Sequence, residues 1–509
     1  MPQAVAVART REDVPAMVRW ARHNQLPITA RGSGSSMANG AVGPGLVLDV
    51  NRLNHVDPVN VAGRTIRCGA GALRDEVDQA ARRHGLRFPV DPSSGSFCTV
   101  GGMVATNAAG AHSLGFGATH AWVVALDCVL ADGTTANLRR GEPPGAGSPI
   151  FSRALQALER ARPHAEVFRR DVRKESSGYA VARWLDTGDL LDLIVGSEGT
   201  LAIVTDVELR LVPVAADTAS VLAAFSSVDA ATIGAAEARH AGAVVCELLD
   251  RSFLDAGRIG SRVPGFPADA ATMLLTKLEA DDPGDARTRA VELENRMLAS
   301  GATFTSLAVI PDAEREIWEL RHAASPMLAR LDPSLRSVQV VEDGAVPPAA
   351  LGDYVRAVHA ALARQELRGV IFGHAGDAHV HVNPLVDVSD PRWRERLIQL
   401  LEEITAATVS LGGTLTGEHG DGRLRAPLLA RSWPAAAMRT FRELKDAFDP
   451  DNLLNPGVKL PLPGQLPLEA VKYDPALPQL PAVARRALDH VADSRGYATP
   501  RLSLLESES

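Results

Sequence analysis

Histidine and carboxylate side chains are concentrated in two short stretches of the 509-residue chain. The first stretch is GHAGDAHVHVN, residues 373–383, and the second is GEHG, residues 417–420. The apolar residues before the first histidine predict a buried strand, and the Gly-Asp pair predicts a tight turn into a second strand. Because side chains alternate across a strand, we expect His379, His381 and Asn383 to lie on one face of this hairpin.

Two imidazoles that a hairpin brings together and one carboxylate would form a metal-binding set, which we predict to be His374, His381 and Glu418. Three such ligands leave coordination positions open for a water or a substrate oxygen, as in catalytic zinc sites. Zinc is the first expectation, and manganese or iron are alternatives for the same ligand types. The competing interpretation is that these are buried polar residues with ordinary partners. The clustering of three histidines and a Gly-framed Glu-His pair favours a functional site, since loops rich in glycine usually carry function.

Three segments rich in glycine are candidates for binding a second ligand, and the first and third of them follow predicted strands. Residues 31–37, RGSGSSM, offer backbone amides that could surround a pyrophosphate. They do not match the dinucleotide fingerprint, because Met37 stands at the third glycine position, and a nicotinamide cofactor is therefore disfavoured. Residues 99–110, TVGGMVATNAAG, are expected to form a loop that lets a backbone approach a flat ligand, although tight helix packing is the alternative. Residues 191–195 predict an apolar strand that leads into GSEGT, residues 196–200.

The composition is that of an ordinary globular protein with two or three domains. Hydrophobic residues make up 46% of the chain, and the formal net charge of -8 argues against nucleic acid as the main partner. The four cysteines are isolated and predict free thiols in a reducing compartment. No apolar run is long enough to span a bilayer, and the first residues do not have the order of a signal peptide. We expect a cytoplasmic protein, with peripheral membrane contact left open.

The glycine-rich segments resemble the flavin domain of the vanillyl-alcohol oxidase and p-cresol methylhydroxylase superfamily, in RGSGSS, TVGGMVATNAAG and GSEGTLAIVT. The rest of the chain is similar to the D-lactate, glycolate and D-2-hydroxyglutarate dehydrogenase branch of that superfamily. The similar motifs are WELR at residues 318–321, Glu342-Asp343 with Val346-Pro347, GHAGDAHVHVN, TGEHGDGR and FDP to LNPG at residues 448–457.

The resemblance implies an α+β fold with a two-part FAD-binding domain of the p-cresol methylhydroxylase type and a cap, or substrate, domain. The cap is expected to contain an antiparallel sheet flanked by helices. We place the FAD-binding domain at residues 1–213 and the cap, with the metal-binding hairpin, at residues 214–411. Residues 412–459 would complete the active site and the flavin domain, and residues 460–509 would form a Pro-rich tail.

The resemblance also implies that FAD is the cofactor. Some members of the superfamily attach the flavin covalently to a histidine in the first glycine-rich segment. This chain has no histidine there, so we expect non-covalent FAD. Carried over motif by motif, the predicted FAD-binding residues are Arg31, Gly32, Ser33, Gly34, Ser35, Ser36, Pro92, Gly101, Gly102, Thr106, Asn107, Gly110, Gly199, Ile203 and Asn455.

The implied reaction is oxidation of a D-2-hydroxy acid to the 2-oxo acid, with hydride transfer to the flavin. A divalent metal would lower the pKa of the substrate hydroxyl, and His419 would act as the base, since a histidine titrates near neutral pH. Arg321 would bind the substrate carboxylate with two hydrogen bonds, although a surface ion pair is the commoner role of an arginine. Asn383 would donate a hydrogen bond to the same carboxylate or to the hydroxyl.

Departures from the family pattern bear on the metal and the substrate. Family members commonly have Asn where this chain has His379, so ligation by this third imidazole stays open. The hydroxyglutarate enzymes have a lysine before the acidic pair, where this chain has Val341. We therefore expect a lactate-like D-2-hydroxy monocarboxylate ahead of D-2-hydroxyglutarate, unless Arg423 or Arg425, expected on one face, supplies the second cation.

The electron acceptor is expected to be a separate molecule, namely a quinone, a cytochrome or an electron-transfer flavoprotein. The reason is that the residues after 459 lack the cysteines of the iron–sulfur module that several relatives carry. A homodimer is left open. One rival interpretation is a non-catalytic FAD-binding electron-transfer subunit, which would not need the predicted metal-binding set. A second is an oxidase that uses oxygen directly.

Overall fold

The structure is a computed structural model that describes residues 2–144, 148–322, 334–469, 471, 474–478, 480–486 and 490. Most of the second half of the predicted tail therefore lies outside the described residues. Among the helices that are described, none combines the length and the apolar composition needed to cross a bilayer.

The strands are short, and those that the structure describes are numbered here in chain order. They are β1 Ala4–Val7, β2 Ile28–Arg31, β3 Leu46–Asp49, β4 Thr65–Gly69, β5 Leu86–Arg87, β6 Val123–Val129, β7 Thr135–Arg139, β8 Ile203–Arg210, β9 Val212–Pro213, β10 Asp217–Phe225, β11 Val245–Asp250, β12 Thr272–Ala280, β13 Ala302–Ala308, β14 Arg336–Ser337, β15 Gly344–Ala345, β16 Arg368–His374 and β17 His379–Val386.

Helices alternate with these strands along the chain. The described α-helices are Asp13–His23, Arg74–Arg82, Val100–Thr106, Ser113–Phe116, Pro149–Ala161, Val181–Thr187, Leu191–Ile194, Val228–His240, Arg251–Ala256, Ile259–Arg262, Asp285–Ala299, Pro311–His322, Leu351–Arg364, Trp393–Ser410, Gly422–Arg425, Leu429–Ser432 and Ala435–Phe448. Turns of 3₁₀-helix occur at Thr119–Ala121, Arg162–Phe168, Pro348–Ala350, Ala375–Asp377 and Ala426–Leu428.

The N-terminal half contains a parallel sheet and an antiparallel sheet. Strands β1, β3 and β2 form the parallel sheet, and β4, β8, β6 and β7 form the antiparallel sheet in that order. The end of the chain returns to this half, since helix Ala435–Phe448 packs against helix Pro149–Ala161 and Leu454 bridges to Ile28 beside β2. Segments far apart in sequence therefore share one apolar core here.

The second half is built on an eight-stranded sheet with the strand order β13-β10-β12-β11-β16-β17-β14, in which β15 also pairs with β17. All of its strand pairs are antiparallel. Helix Leu351–Arg364 covers one face, and it buries Leu351, Val355, Val358 and Leu362, which are spaced three or four residues apart as an amphipathic helix requires. The predicted α+β class and the predicted antiparallel sheet in this half are confirmed.

Two local predictions are wrong. Residues 191–195 do not form a strand, because Leu191–Ile194 is a short helix whose four residues are all buried. A fully buried apolar run has no periodicity, so its pattern does not separate a strand from a helix. Residues 100–106 are a helix rather than a loop, and Thr99 begins it by accepting a hydrogen bond from the Gly102 amide. The small residues allow close helix packing, which was the alternative interpretation.

Candidate functional site

The hairpin of β16 and β17 sets the positions of the three histidines. In the antiparallel register His374 lies directly opposite His379, and Phe372 lies opposite His381. The turn between the strands passes through Ala378, which has a left-handed backbone with φ of 51°. The three imidazoles are buried, and the alternation expected for β17 places His379 and His381 beside His374.

His374, His381 and Glu418 come together as a compact triangle of donor atoms. The Nε2 atom of His374 lies 3.3 Å from Glu418 Oε1 and 3.4 Å from His381 Nε2. The third side, from His381 Nε2 to Glu418 Oε1, measures 3.4 Å. Bonds of about 2.0–2.1 Å to a tetrahedral metal place two ligand atoms about 3.3–3.4 Å apart. The predicted metal-binding residues therefore fit a divalent ion.

Hydrogen-bond partners on the far side of each imidazole set the orientation of the two rings. Glu247 lies in close contact with His374 Nδ1, and the backbone oxygen of Glu342 accepts a hydrogen bond from His381 Nδ1 at 2.8 Å. Both Nε2 atoms consequently face Oε1 of Glu418. Burial disfavours charge on both His374 and Glu247, but their attraction outweighs it and raises the pKa of His374 to about 9 while it lowers the pKa of Glu247 to about 2.

Lys174 is a residue of this site that sequence reasoning missed. Its Nζ atom lies 2.7 Å from Glu418 Oε2, on the side of the carboxylate that faces away from the histidines. The lysine is buried, and the neighbouring Ser176 amide donates to the backbone oxygen of Thr416 at 3.0 Å. Lys174 stands at the end of a stretch rich in charged residues, which by itself predicts a solvated loop, so no local signal identifies it.

His419 converges on the same triangle. Its Nε2 atom lies 3.6 Å from Glu418 Oε1, and its Nδ1 atom lies 2.5 Å from Glu342 Oε2. Gly420, with φ of 79°, supplies the loop backbone that lets adjacent side chains meet. Burial opposes the protonated form, but Glu342 and Asp343 outweigh it and raise the pKa of His419 to about 10. This pKa lies above the near-neutral value for which a histidine was chosen as the base.

The two residues predicted to bind the substrate border this cluster. Arg321, on helix Pro311–His322, donates from Nε to Glu247 Oε2 at 2.6 Å and stacks over the ring of Phe372. It is thus joined through Glu247 to His374, rather than to a surface carboxylate. Asn383 is buried on β17, and its Oδ1 atom accepts a hydrogen bond from Gln339 at 2.9 Å.

Arg423 and Arg425 lie on the short helix Gly422–Arg425, so the expectation that they share one face of a strand is wrong. Arg425 is buried, contacts Glu342 and donates from Nη1 to the Gly420 oxygen at 2.7 Å. Arg423 points the other way and donates from Nη2 to Asn455 Oδ1 at 2.9 Å. Both guanidinium groups therefore have partners within the protein.

The three glycine-rich segments also come together. A Cβ atom at Gly32 would lie 2.2 Å from Thr99 Oγ1, so the first segment presses against the start of the second. The amide of Glu198, in the third segment, donates to the Ala105 oxygen at 2.7 Å. Asn455 joins the backbone just after the first segment to the third segment, since its Nδ2 atom donates to the oxygens of Gly40 at 2.9 Å and Glu198 at 2.8 Å.

Several observations show that these segments can accommodate a polar ligand. The hydroxyl of Ser33 is buried and has no hydrogen-bond partner among the residues that the structure describes. Gly34 and Gly199 have φ of 74° and 70°, and no atom lies within 4 Å of the place where a Cβ would stand at Gly199. A buried hydroxyl without a partner fits a phosphate oxygen, and open backbone at a glycine leaves room for a ring edge.

The remaining predicted FAD-binding residues line the same part of the protein. Arg31 ends β2, Ile203 begins β8 in the core, and Ser36 Oγ accepts from the Gly40 amide at 3.2 Å. Ser35 follows Gly34 in the first segment. Gly101 packs on Ala70 and Gly110 on Asp91, which precedes Pro92. Thr106 donates to the Gly102 oxygen at 3.2 Å, and Asn107 accepts from the His120 amide at 3.0 Å.

Glu198 connects the glycine-rich segments to the metal-binding triangle. Its carboxylate accepts hydrogen bonds from the amides of Asp421 at 2.7 Å and Gly422 at 2.9 Å, just after Glu418 and His419. Buried Lys459 lies 3.1 Å from Glu198 Oε1 and 3.1 Å from Asp421 Oδ2. The two predicted sites therefore share one buried network.

Sequence families match both parts of the chain. A family described as "FAD binding domain" matches residues 2–139, and one described as "FAD linked oxidases, C-terminal domain" matches residues 214–458. The glycolate oxidase subunit GlcD of Bacillus subtilis is 30% identical to the chain over 90% of its length and 88% of that protein. The chain belongs to the FAD-linked oxidase family. Its oxidoreductase class and its FAD cofactor follow from this membership.

Other relatives and solved structures agree with this assignment. The FAD-linked oxidase is 29% identical to D-lactate dehydrogenase of Archaeoglobus fulgidus over 88% of both chains, and 28% identical to D-2-hydroxyglutarate dehydrogenase of Pantoea ananatis over 90% of this chain and 48% of that one. The structure of 4-ethylphenol oxidase from Gulosibacter chungangensis is 16% identical and matches 90% of this chain and 89% of that chain with a TM-score of 0.64. The predicted p-cresol methylhydroxylase-type fold is confirmed.

Proposed function

We propose that this FAD-linked oxidase oxidises a D-2-hydroxy monocarboxylic acid to the 2-oxo acid. The observation that carries the proposal is the triangle of His374, His381 and Glu418, which is joined through Glu198 to the glycine-rich segments. A polar cluster able to hold a divalent cation beside a flavin is suited to alcohol oxidation, which needs both a proton acceptor and a hydride acceptor. The relatives named D-lactate dehydrogenase and glycolate oxidase support the same substrate class.

Each group has a separate task in this proposal. When bound, FAD supplies a hydride acceptor and the divalent metal supplies a Lewis acid. His374, His381 and Glu418 would hold the metal, with zinc favoured and manganese or iron as alternatives. Ser33, the open backbone at Gly199 and the other residues of the glycine-rich segments would hold FAD without a covalent bond.

His419 is the proposed proton acceptor. Its Nδ1–H donates to Glu342, so the Nε2 atom, 3.6 Å from Glu418, is the atom that would take the hydroxyl proton of the substrate. A protonated His419 cannot accept a second proton, and its raised pKa therefore has to fall in the loaded enzyme. A cation on the triangle favours the neutral form of the ring, because like charges repel at short range.

Arg321 and Asn383 are proposed to orient the substrate. Arg321 would meet the substrate carboxylate with its terminal nitrogens while Nε stays on Glu247, and 15% of its side chain is exposed. Asn383 would donate its amide hydrogens to the same carboxylate or to the hydroxyl, while its Oδ1 atom stays on Gln339. Both contacts would orient the α-hydrogen for transfer.

A small side chain on the substrate is favoured over a second carboxylate. A buried carboxylate without a cation is strongly disfavoured, and Val341 is buried and uncharged. Arg423 and Arg425 both have partners within the protein. D-2-hydroxyglutarate is therefore the alternative substrate rather than the first.

A substrate panel tests this proposal. Purified protein with an artificial dye acceptor is assayed with the D and L forms of lactate, longer aliphatic 2-hydroxy acids and 2-hydroxyglutarate. We expect D-lactate or a D-aliphatic acid to have the highest kcat/KM. A preference for D-2-hydroxyglutarate above about a hundredfold, worth about 2.7 kcal/mol of transition-state binding, would contradict the choice of substrate. Full turnover after a chelator has removed the metal would contradict the metal's role.

A further inference from the structure

His379 is the third imidazole of the hairpin, and its environment differs from that of an ordinary buried histidine. The side chain is completely buried. Its ring centroid lies 5.4 Å from that of His374 and 4.7 Å from that of His381. The ring thus lies beside the two histidines of the metal-binding triangle, at the position directly opposite His374 in the strand register.

The partner of His379 determines which ring nitrogen carries the proton. Nε2 lies 2.9 Å from Asp343 Oδ1, and this carboxylate is itself held in place by Thr416 and by the His419 amide. An ionised carboxylate only accepts hydrogen bonds, so Nε2 is the donor. A neutral ring protonated at Nε2 has its lone pair on Nδ1.

The Nδ1 atom of His379 is buried and has no hydrogen-bond partner among the described residues. A buried acceptor without a partner costs on the order of 1–3 kcal/mol. One ligand atom from each of His374, His379, His381 and Glu418 lies within 4.8 Å of the others. A metal ion held by this cluster would supply the missing partner.

We propose that His379 is a fourth protein ligand of the metal, through Nδ1, with Asp343 as the carboxylate that orients the ring. This inference rests on the metal-binding site of the proposed function and extends it. A carboxylate that accepts from the far nitrogen of a ligating histidine fixes its tautomer and strengthens its basicity. Three imidazoles and one carboxylate would then hold the ion, which would supply Lewis-acid chemistry to the substrate oxygen.

The test is a count of imidazole ligands in the intact flavoprotein. The FAD-loaded protein is given one equivalent of Zn²⁺, and X-ray absorption at the zinc edge reports the number of coordinated rings. We expect three imidazoles in the wild type and two in His379→Asn, whose amide can still donate to Asp343. The matched control is His240→Asn, at an exposed histidine on helix Val228–His240, which keeps three.

Competition with a chelator gives a second readout that does not depend on turnover. We expect His379→Asn and His379→Gln to weaken zinc affinity by about 10–100-fold, with an unchanged flavin spectrum to show that the variants fold. Two imidazoles in the wild type together with unchanged affinity in both variants would overturn the role of His379 and leave the three-ligand site standing. Failure of the wild type to bind zinc, manganese or iron would overturn both proposals.

Discussion

At the residue scale, the chemistry of this protein depends on which nitrogen of each imidazole faces the centre of the cluster. Glu247 contacts His374 Nδ1, and the Glu342 backbone oxygen accepts from His381 Nδ1. Neither partner is adjacent in sequence to the histidine that it orients. These contacts leave both Nε2 atoms free to face Glu418 Oε1, while Lys174 holds the other oxygen of that carboxylate.

Glu247→Gln tests the orienting role of this carboxylate. Glutamine has nearly the same shape but lacks the charge that attracts the Nδ1–H of His374 and can present an amide hydrogen instead. We expect metal affinity to fall by about 10–100-fold, measured by competition with a chelator, while bound FAD is retained. Glu292→Gln, at an exposed position on helix Asp285–Ala299, is the matched control. Equal affinities in both variants would argue against this role.

At the element scale, the hairpin brings its three histidines together because its two strands approach closely at a glycine. Gly373 lies opposite Val380 in the register, and a Cβ at Gly373 would lie 2.3 Å from the backbone oxygen of His379. A side chain there cannot move aside, since the atom that it meets is backbone. The spacing between His374 and the histidines of β17 therefore depends on this glycine.

Gly373→Ala is expected to push the two strands apart and to destabilise the protein by about 1–3 kcal/mol. Metal affinity and dye reduction should fall together, while FAD content stays near that of the wild type because the glycine-rich segments are untouched. The control is Gly260→Ala on helix Ile259–Arg262, where no atom lies within 4 Å of the added Cβ. If Gly373→Ala keeps the metal affinity of the wild type, the distance between the two strands at this position does not control the histidine cluster.

At the scale of the whole molecule, partly buried charges join the N-terminal half to the C-terminal sheet. His112 Nδ1 lies 2.6 Å from Asp91 Oδ2, and its Nε2 lies 3.5 Å from Glu279 Oε1 on β12. Arg87 donates to Glu279 Oε1 at 3.0 Å from the same side. Burial opposes charge on His112, but Asp91 and Glu279 outweigh it and raise its pKa to about 9.

This raised pKa predicts how stability depends on pH. A group whose pKa is higher in the folded protein stabilises it fully below its unfolded value near 6.5, and the stabilisation is lost as pH rises through about 9. The shift corresponds to about 3 kcal/mol. We expect the melting temperature of His112→Gln to lie below that of the wild type at pH 6 and to approach it at pH 10. A difference that is constant over this range would contradict the assignment.

Much of the candidate site could be predicted from the sequence, because the relevant signals are local. Alternation in a hairpin places His379 beside His381, and Gly420 allows Glu418 and His419 to converge, both of which follow from a few neighbouring residues. The glycine-rich segments predicted a site for a pyrophosphate or a flat ligand in the same way, whereas FAD and the fold were implied by the resemblance of the motifs to a known family. The helix at Leu191–Ile194 was not predictable locally, since a run buried on all sides has no period.

The groups that surround these residues could not be predicted from the sequence, because they come from distant parts of the chain. Lys174 and Glu418 are 244 positions apart, and His374 and Glu247 are 127 positions apart. No local pattern records such contacts, because they arise when β11 pairs with β16 and when residues 174–178 lie along residues 416–421. The raised pKa of His419 could not be predicted locally either. It depends on carboxylates that folding brings close and on the exclusion of water around them.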